Sequence, residues 1–400
     1  MDGACTPPLS VCCRPDAIEV SGFLLSTEAG TVQRRAQGTR AERHTVMIRV
    51  GVVGATGYAG AETVRLVCGH PQMELVRATS TKEAGTRIDA LYPGFIGTCS
   101  IELVAPDADD LAQSCDLVFL AVPHTGALAL APQLTAVGVK VVDLSADYRL
   151  SDPAVYEAWY APHTSRELLA QAVYCIPELN RADLQVLANA DPRTPRLVAN
   201  PGCYPTATTL AAAPVLAAGL LAAGATVIVD AISGVSGAGK GCNARTHYCS
   251  ADENLEAYGV AKHRHQPEIA QNLGRLAGRD VPVIFTPHLA PLKRGLLSTV
   301  YMPLGQVVDF QQVQALYEAA YAGERFVSVL PAGVQPRTAS VAGSNRAQVA
   351  VALDERTNTV IATCAIDNLV KGAAGQAVQN ANILCGLDEG MGLSVPGPLV

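Results

Sequence analysis

The chain has 400 residues, 49% hydrophobic and 16% charged, the make-up of a globular protein with room for two domains. A net charge of −7 argues against a general nucleic-acid binder or a binder of anionic membranes. Pro and Gly interrupt the longest apolar runs, such as Ala211 to Ala225, short of the roughly 20 residues that a membrane helix needs.

Residues 1–46 carry Cys5, Cys12, Cys13 and a basic stretch from Gln33 to Arg40 without core-like periodicity, and they read as a disordered extension. Organellar targeting is the alternative, opposed by Asp2, Asp16, Glu19, Glu28 and Glu42. From Val46 strands alternate with helices. A strand to Val53 precedes a helix from Ala59 to Cys68, and strands follow at Leu75–Thr79, Ile101–Val104, Leu117–Val122 and Val139–Leu144, with a helix over Leu128–Val137. This order builds a parallel sheet covered by helices, an α/β fold. Beyond about residue 200 the rhythm changes. A long Ala-rich helix, Thr206 to Leu221, leads to a strand at Thr226–Ile232. Two strand pairs are then expected, Val281–Thr286 with Leu296–Met302 and Ala347–Leu353 with Thr359–Ile366, with one helix (Phe310 to Tyr321) between the pairs. A last helix from Asn368 to Leu384 has no strand after it and can return to the first domain. The expected division is a Rossmann-type dinucleotide-binding domain over 47–201, completed by about 368–400, and a mixed α+β catalytic domain over 202–367.

The first strand runs into Gly54-Ala55-Thr56-Gly57-Tyr58-Ala59-Gly60 and a helix. Glycines there allow a tight turn and let a pyrophosphate approach the amides at a helix start. The second strand ends Arg77-Ala78-Thr79-Ser80-Thr81-Lys82 with no acid before Glu83, whereas NAD enzymes place an acid there for the ribose. Arg77, Ser80 and Lys82 therefore predict NADP. Pro123, in Ala121-Val122-Pro123-His124-Thr125-Gly126, closes a further strand at the edge where ligands collect.

In Asn200-Pro201-Gly202-Cys203-Tyr204-Pro205-Thr206 a strand ends, Pro-Gly turns the chain, and Cys203 falls at the start of the long helix. A helix amino terminus favours the thiolate, the nucleophilic form. The other cysteines have no Cys-x-x-Cys spacing and, as with Cys68, Cys99, Cys115, Cys175, Cys364 and Cys385, sit in apolar segments. They read as core residues in a reducing, cytoplasmic setting, with neither a metal nor a disulfide scaffold.

The stretch Asn200–Thr206 resembles the active-site signature of the N-acetyl-gamma-glutamyl-phosphate reductases. So do Gly54–Gly60, Asp143–Leu150, Ser233–Gly239, Lys262–Ile269, Gly343–Asn345 and Asp367–Gly372, in order across residues 47–395. The resemblance implies an NADPH-dependent reduction of a small acyl phosphate to an aldehyde through a Cys203 thioester, in a homodimer or homotetramer. Such chemistry needs an acid/base. His263 and His265 lie two apart before Pro267, where an extended approach would point both imidazoles one way, and the expectation is that His263 shuttles the proton while His265, beside the helix start, orients the substrate. Asn200, Arg149, Lys240, Arg245 and Arg294 are the expected substrate ligands. Ser236 and Gly237 of the second glycine loop, with Asn368, are expected at the cofactor. The rival readings are aspartate-semialdehyde dehydrogenase, a reductase for the one-carbon-longer N-acetyl-aminoadipyl phosphate, and a non-catalytic NADP sensor.

Overall fold

The computed structural model describes residues 47–393 and 397, so the expectations for residues 1–46 lie outside the described residues. Strands β1 (Ile48–Val53), β2 (Met73–Thr79), β3 (Leu117–Leu120), β4 (Lys140–Asp143), β5 (Val173–Tyr174) and β6 (Leu197–Ala199) form one parallel sheet in the order β2-β1-β3-β4-β6-β5. Leu117-Val118-Phe119-Leu120 is wholly buried, as a strand with helices on both faces must be. Helix α1 (Tyr58–Cys68) follows β1 directly.

Ile101–Val104 does not form the expected strand. It makes single bridges, Val104 to Thr79 and Glu102 to Arg87. Pro106 then withholds a donor, and Asp107 caps a new helix by accepting the Asp110 amide. Other elements were not foreseen either, among them the helices Pro153–Trp159 and Pro177–Ala188 and the strand β5, which is only two residues long.

The second sheet is mixed: β7 (Val227–Gly234), β8 (Glu256–Ala257), β9 (Val283–Ala290), β10 (Leu296–Pro303), β11 (Val327–Val329), β12 (Ala347–Asp354) and β13 (Thr359–Ile366), ordered β11-β12-β13-β10-β7-β9-β8. β12 and β13 pair antiparallel as expected. β9 and β10 do not pair, because β7 lies between them, parallel to β9 and antiparallel to β10. Their connection passes over the end of β7, where a Cβ on Gly234 would lie 2.6 Å from the Leu292 carbonyl oxygen.

Helix α2 (Cys203–Ala217) is buried from Tyr204 to Leu216, so its all-round apolar character marks a core helix rather than a surface one. It shares a core with helix α3 (Gln266–Ala277) and the second sheet through Leu210, Val215, Ile269, Leu273 and Val300. A π-helical stretch, Val370–Ala374, leads into α4 (Gly375–Leu384). Ala377, Val378 and Ala381 of α4 pack with Val50, Val64 and Leu117 of the first sheet's layer. Among the described residues no helix is long and apolar enough to cross a membrane.

Candidate active site

The first cleft forms where β1 meets α1. Gly54 has φ +80°, and a Cβ there would lie 2.3 Å from the Ala121 carbonyl oxygen. A Cβ on Gly60 would lie 2.1 Å from the Gly54 oxygen, so the strand, loop and helix can meet only through glycine. Gly57 caps α1, whose first turn holds no acid. The leading amides of α1, at Tyr58, Ala59 and Gly60, have no carbonyl one turn earlier and suit an anion. Tyr58, Ser236, Lys240, Arg294 and Leu369 line a neighbouring cavity of about 370 Å³. Asn368 ties its walls together: its Oδ1 accepts the Gly295 amide at 2.8 Å and its Nδ2 donates to Ser236 Oγ at 3.0 Å. Gly237 leaves room for this knot, since a Cβ there would press Ser233 Oγ at 2.7 Å. Pro123 shapes the adjoining loop, its carbonyl accepting the Gly126 amide at 3.0 Å. Glycine cradle, free helix amides and a cavity with Lys240 and Arg294 in its wall fit a dinucleotide.

The end of β2 differs from expectation in two ways. Arg77 is spent on Asp110, with Nε and Nη2 donating to its two oxygens at 2.7 and 2.9 Å, so its fork is unavailable to a phosphate. Glu83, read in the sequence as lying past the strand end, folds back onto it. Its Oε2 accepts from Thr56 Oγ1 at 3.1 Å and from Ser80 Oγ. Lys82 stays exposed beside it.

The second cleft is built around Cys203, the first residue of α2. Glu268, in the first turn of α3, accepts the Gly202 amide at 2.9 Å and the Tyr174 hydroxyl at 3.0 Å, which fixes the turn before Cys203. Arg149 is buried beneath it, donating from Nε to Asn200 O and from Nη2 to Leu144 O, both at 2.7 Å, with Nη1 3.4 Å from Glu268. The segment containing Arg149 is a buried polar hub: Asp147 accepts the Thr125 and Ala127 amides and the Tyr156 hydroxyl, and so holds the loop of Pro123.

A helix start was expected to depress the Cys203 pKa. Instead, burial pushes the thiol up to about 11, outweighing the Tyr204 amide and Arg149, which pull it down. At neutral pH such a thiol is ionised in about one molecule in 10⁴, so it needs a base at the moment of attack.

Two imidazoles are at hand. His263 and His265 have ring centroids 5.0 Å apart, although a turn and not an extended segment brings them together. His263 sits among Tyr204, Tyr258 and Phe285, and its Nδ1 accepts the His265 amide at 3.1 Å. His265 lies against the turn before Cys203: a Cβ on Gly202 would be 2.6 Å from its Nε2. Burial and the Arg264 charge lower the His263 pKa to about 4, and burial drives His265 well below its usual value, so both are neutral bases at pH 7.

Not every expected ligand is gathered there. Asn200 is fully buried and braces α4, its Oδ1 accepting from Asn380 at 3.0 Å and its Nδ2 donating to Ala373 O at 3.2 Å. Lys240 lies at the dinucleotide loop, 3.2 Å from Thr56 O and 3.0 Å from Tyr92 OH. Arg245 is paired with Glu256, and Arg294 with Glu62 and Asp367. Arg149 remains beside the turn: its Nη1 lies 2.9 Å from the Gly202 Cβ position. Glu268 and Gly372, although inside the stretches Lys262–Ile269 and Asp367–Gly372, were given no place at the site. The one available signal for Glu268 was an acid three residues after His265, in the first turn of a Pro-started helix.

The semialdehyde dehydrogenase NAD-binding domain model matches residues 49–187, and the semialdehyde dehydrogenase dimerisation domain model matches residues 203–368. Curated relatives named N-acetyl-gamma-glutamyl-phosphate reductase align almost end to end. That of Desulforudis audaxviator is 49% identical over 352 residues, 88% of this chain and 99% of the relative. That of Desulfotalea psychrophila is 46% identical over 350 residues, 87% and 99%. The chain belongs to the N-acetyl-gamma-glutamyl-phosphate reductase family. It is therefore an oxidoreductase with an NAD(P)-binding domain. Solved structures share the fold. Aspartate semialdehyde dehydrogenase II of Vibrio cholerae superposes with a TM-score of 0.64 at 17% identity, over 84% of this chain and 98% of that one. The Candida albicans enzyme, solved with NADP, gives 0.62 at 16% identity, over 84% and 98%.

Proposed function

We propose that this reductase converts N-acetyl-gamma-glutamyl phosphate to N-acetylglutamate semialdehyde in arginine biosynthesis, releasing phosphate through a thioester on Cys203. The observation that carries the reading is the nest around Cys203: a thiol opening a buried helix, with a neutral imidazole against the preceding glycine. His265 takes the thiol proton as sulfur bonds to the acyl carbon, and the acyl carbon–oxygen bond breaks to release phosphate. Arg149 and the Cys203 amide are placed to steady the developing negative charge. NADPH, when bound in the glycine cleft, supplies the hydride that reduces the thioester. The imidazolium of His265 returns its proton to the resulting oxyanion. The imidazole so formed takes the hydroxyl proton as the carbon–sulfur bond breaks, the aldehyde leaves, and the proton passes to the freed thiolate to restore the starting thiol.

This division of labour reverses the one expected from the sequence. The supporting contacts are His265 Nε2 beside Gly202 and the engagement of His263 Nδ1 by the His265 amide. NADPH is favoured over NADH by the Ser80 and Thr56 hydroxyls and by Lys82 and Lys240 around the end of β2. A homodimer goes with the match to a dimerisation domain and with Ile228 and Ile284 of the second sheet, 40% and 54% exposed.

The test is mass spectrometry of enzyme quenched after mixing with N-acetyl-gamma-glutamyl phosphate in the absence of coenzyme. The parent should carry an N-acetylglutamyl adduct on the peptide containing Cys203, and Cys203→Ser should carry none there and lose turnover by several orders of magnitude. An active Cys203→Ser variant would end the thioester reading.

A further inference from the structure

The end of β2 holds an arrangement that the glycine loop does not require. Thr56 Oγ1 and Ser80 Oγ both turn to one oxygen of Glu83. Ser80 is buried and its hydroxyl also lies 3.3 Å from the Glu83 amide, so the carboxylate is seated on the strand end rather than loose in solvent. The Ser80 and Thr56 hydroxyls, with Lys240 and Lys82, hold the Glu83 carboxyl below its usual range, so it is charged at neutral pH. Lys240 reaches this corner from the far side of the cleft, bonding Thr56 O and Tyr92 OH, and Tyr92 itself donates to Thr56 O at 2.7 Å.

Two hydroxyl donors and two ammonium groups are what a ribose 2′-phosphate would use, and Glu83 already accepts from both hydroxyls. A carboxylate in that seat accepts from a ribose hydroxyl but repels a phosphate dianion. We propose that Glu83 is the residue that sets coenzyme selectivity: it suits an unphosphorylated ribose and must be displaced from Thr56 and Ser80 for a 2′-phosphate to bind. The inference rests on the NADPH reading above. It makes NADPH preference the balance between Lys82 and Lys240, which attract the phosphate, and Glu83, which opposes it.

Fluorescence titration of the full chain with NADPH and with NADH tests this. Glu83→Gln keeps the side chain's size and its acceptor oxygen but removes the charge. The ratio Kd(NADH)/Kd(NADPH) should rise about tenfold in Glu83→Gln, the scale of one like-charge contact at a partly exposed site. Lys240→Met should move the ratio the other way. An unchanged or lower ratio in Glu83→Gln overturns the proposal. Equal affinities in the parent would refute the NADPH reading instead, and the change on substitution would still decide the role of Glu83.

Discussion

Gly372 lies directly against Cys203: a Cβ added to it would stand 2.6 Å from the Cβ of Cys203 and 3.1 Å from its Cα. The contact depends on the π-helical stretch, where the Gly372 amide donates to Asp367 O at 2.9 Å and the Ala374 amide to Leu369 O at 2.9 Å. Asp367 caps this stretch by accepting the Leu369 and Val370 amides at 2.8 and 3.0 Å. One segment thus presents Asn368 to the dinucleotide side and Gly372 to the thiol.

Gly372→Ala should overpack this contact and shift Cys203. We expect kcat to fall by roughly two orders of magnitude, while stability drops by only ~1–3 kcal/mol, the usual cost of an extra methyl in a packed site. Kinetics beside a urea melt checks both. Wild-type kcat in a folded variant would show that the thiol's position is not set from this side.

Lys371 precedes that glycine and is wholly buried, donating to Glu178 Oε1 at 2.6 Å and to Gln379 Oε1 at 2.9 Å. Burial opposes charge on Glu178, but Lys371 and Gln379 overcome it and keep the carboxyl below its usual range. Lys371→Met leaves a buried carboxylate unpaired and should cost about 3–5 kcal/mol in a urea melt, with much of the loss recovered in a Glu178→Leu double variant. The sign with pH follows. A depressed carboxyl stabilises the fold above its unfolded value near 4.3, so the pair's contribution fades as pH falls below that value. A single variant as stable as the parent would remove the pair from the account of the fold.

The roles of the two histidines separate by kinetics. His265→Asn should lower kcat by ~10²–10⁴ and flatten one limb of the pH–rate profile, the usual signature of a lost acid/base. His263→Asn should act mainly through KM and through the packing of Tyr204 and Tyr258. The reverse pattern would restore the expectation drawn from sequence.

Alkylation of Cys203 by a neutral reagent reports its ionisation. With the thiol pushed up to about 11, the rate should climb close to tenfold per pH unit from 7 to 10. A plateau already reached below pH 8 would mean that the helix start outweighs burial.

What the sequence disclosed depended on how local each signal was. The glycine loop and the Pro-Gly-Cys turn are short and contiguous, and their geometry follows from residue type; the histidine pair is as short, but a turn and not an extended segment joins it. The separation of β9 from β10 depends on β7 inserting between them, which no periodicity within either strand records. Arg77 and Asp110 are 33 residues apart, so the fork looked free for a phosphate until the helix carrying Asp110 packed against β2. Asn200 looked like a ligand because it adjoins Cys203, yet its side chain turns to Asn380, 180 residues away. Thiol acidity was misjudged for a related reason: the helix start is visible in sequence, whereas the burial that opposes it is a tertiary property.

The most direct test of the central claim is phosphate-dependent reduction of NADP⁺, read at 340 nm, with N-acetylglutamate semialdehyde beside aspartate semialdehyde. The account predicts turnover with the acetylated substrate only when phosphate is present, a kcat/KM for aspartate semialdehyde lower by orders of magnitude, and no turnover in Cys203→Ser. Equal rates with the two aldehydes would contradict the substrate assignment, and reduction that does not depend on phosphate would contradict the acyl-phosphate chemistry.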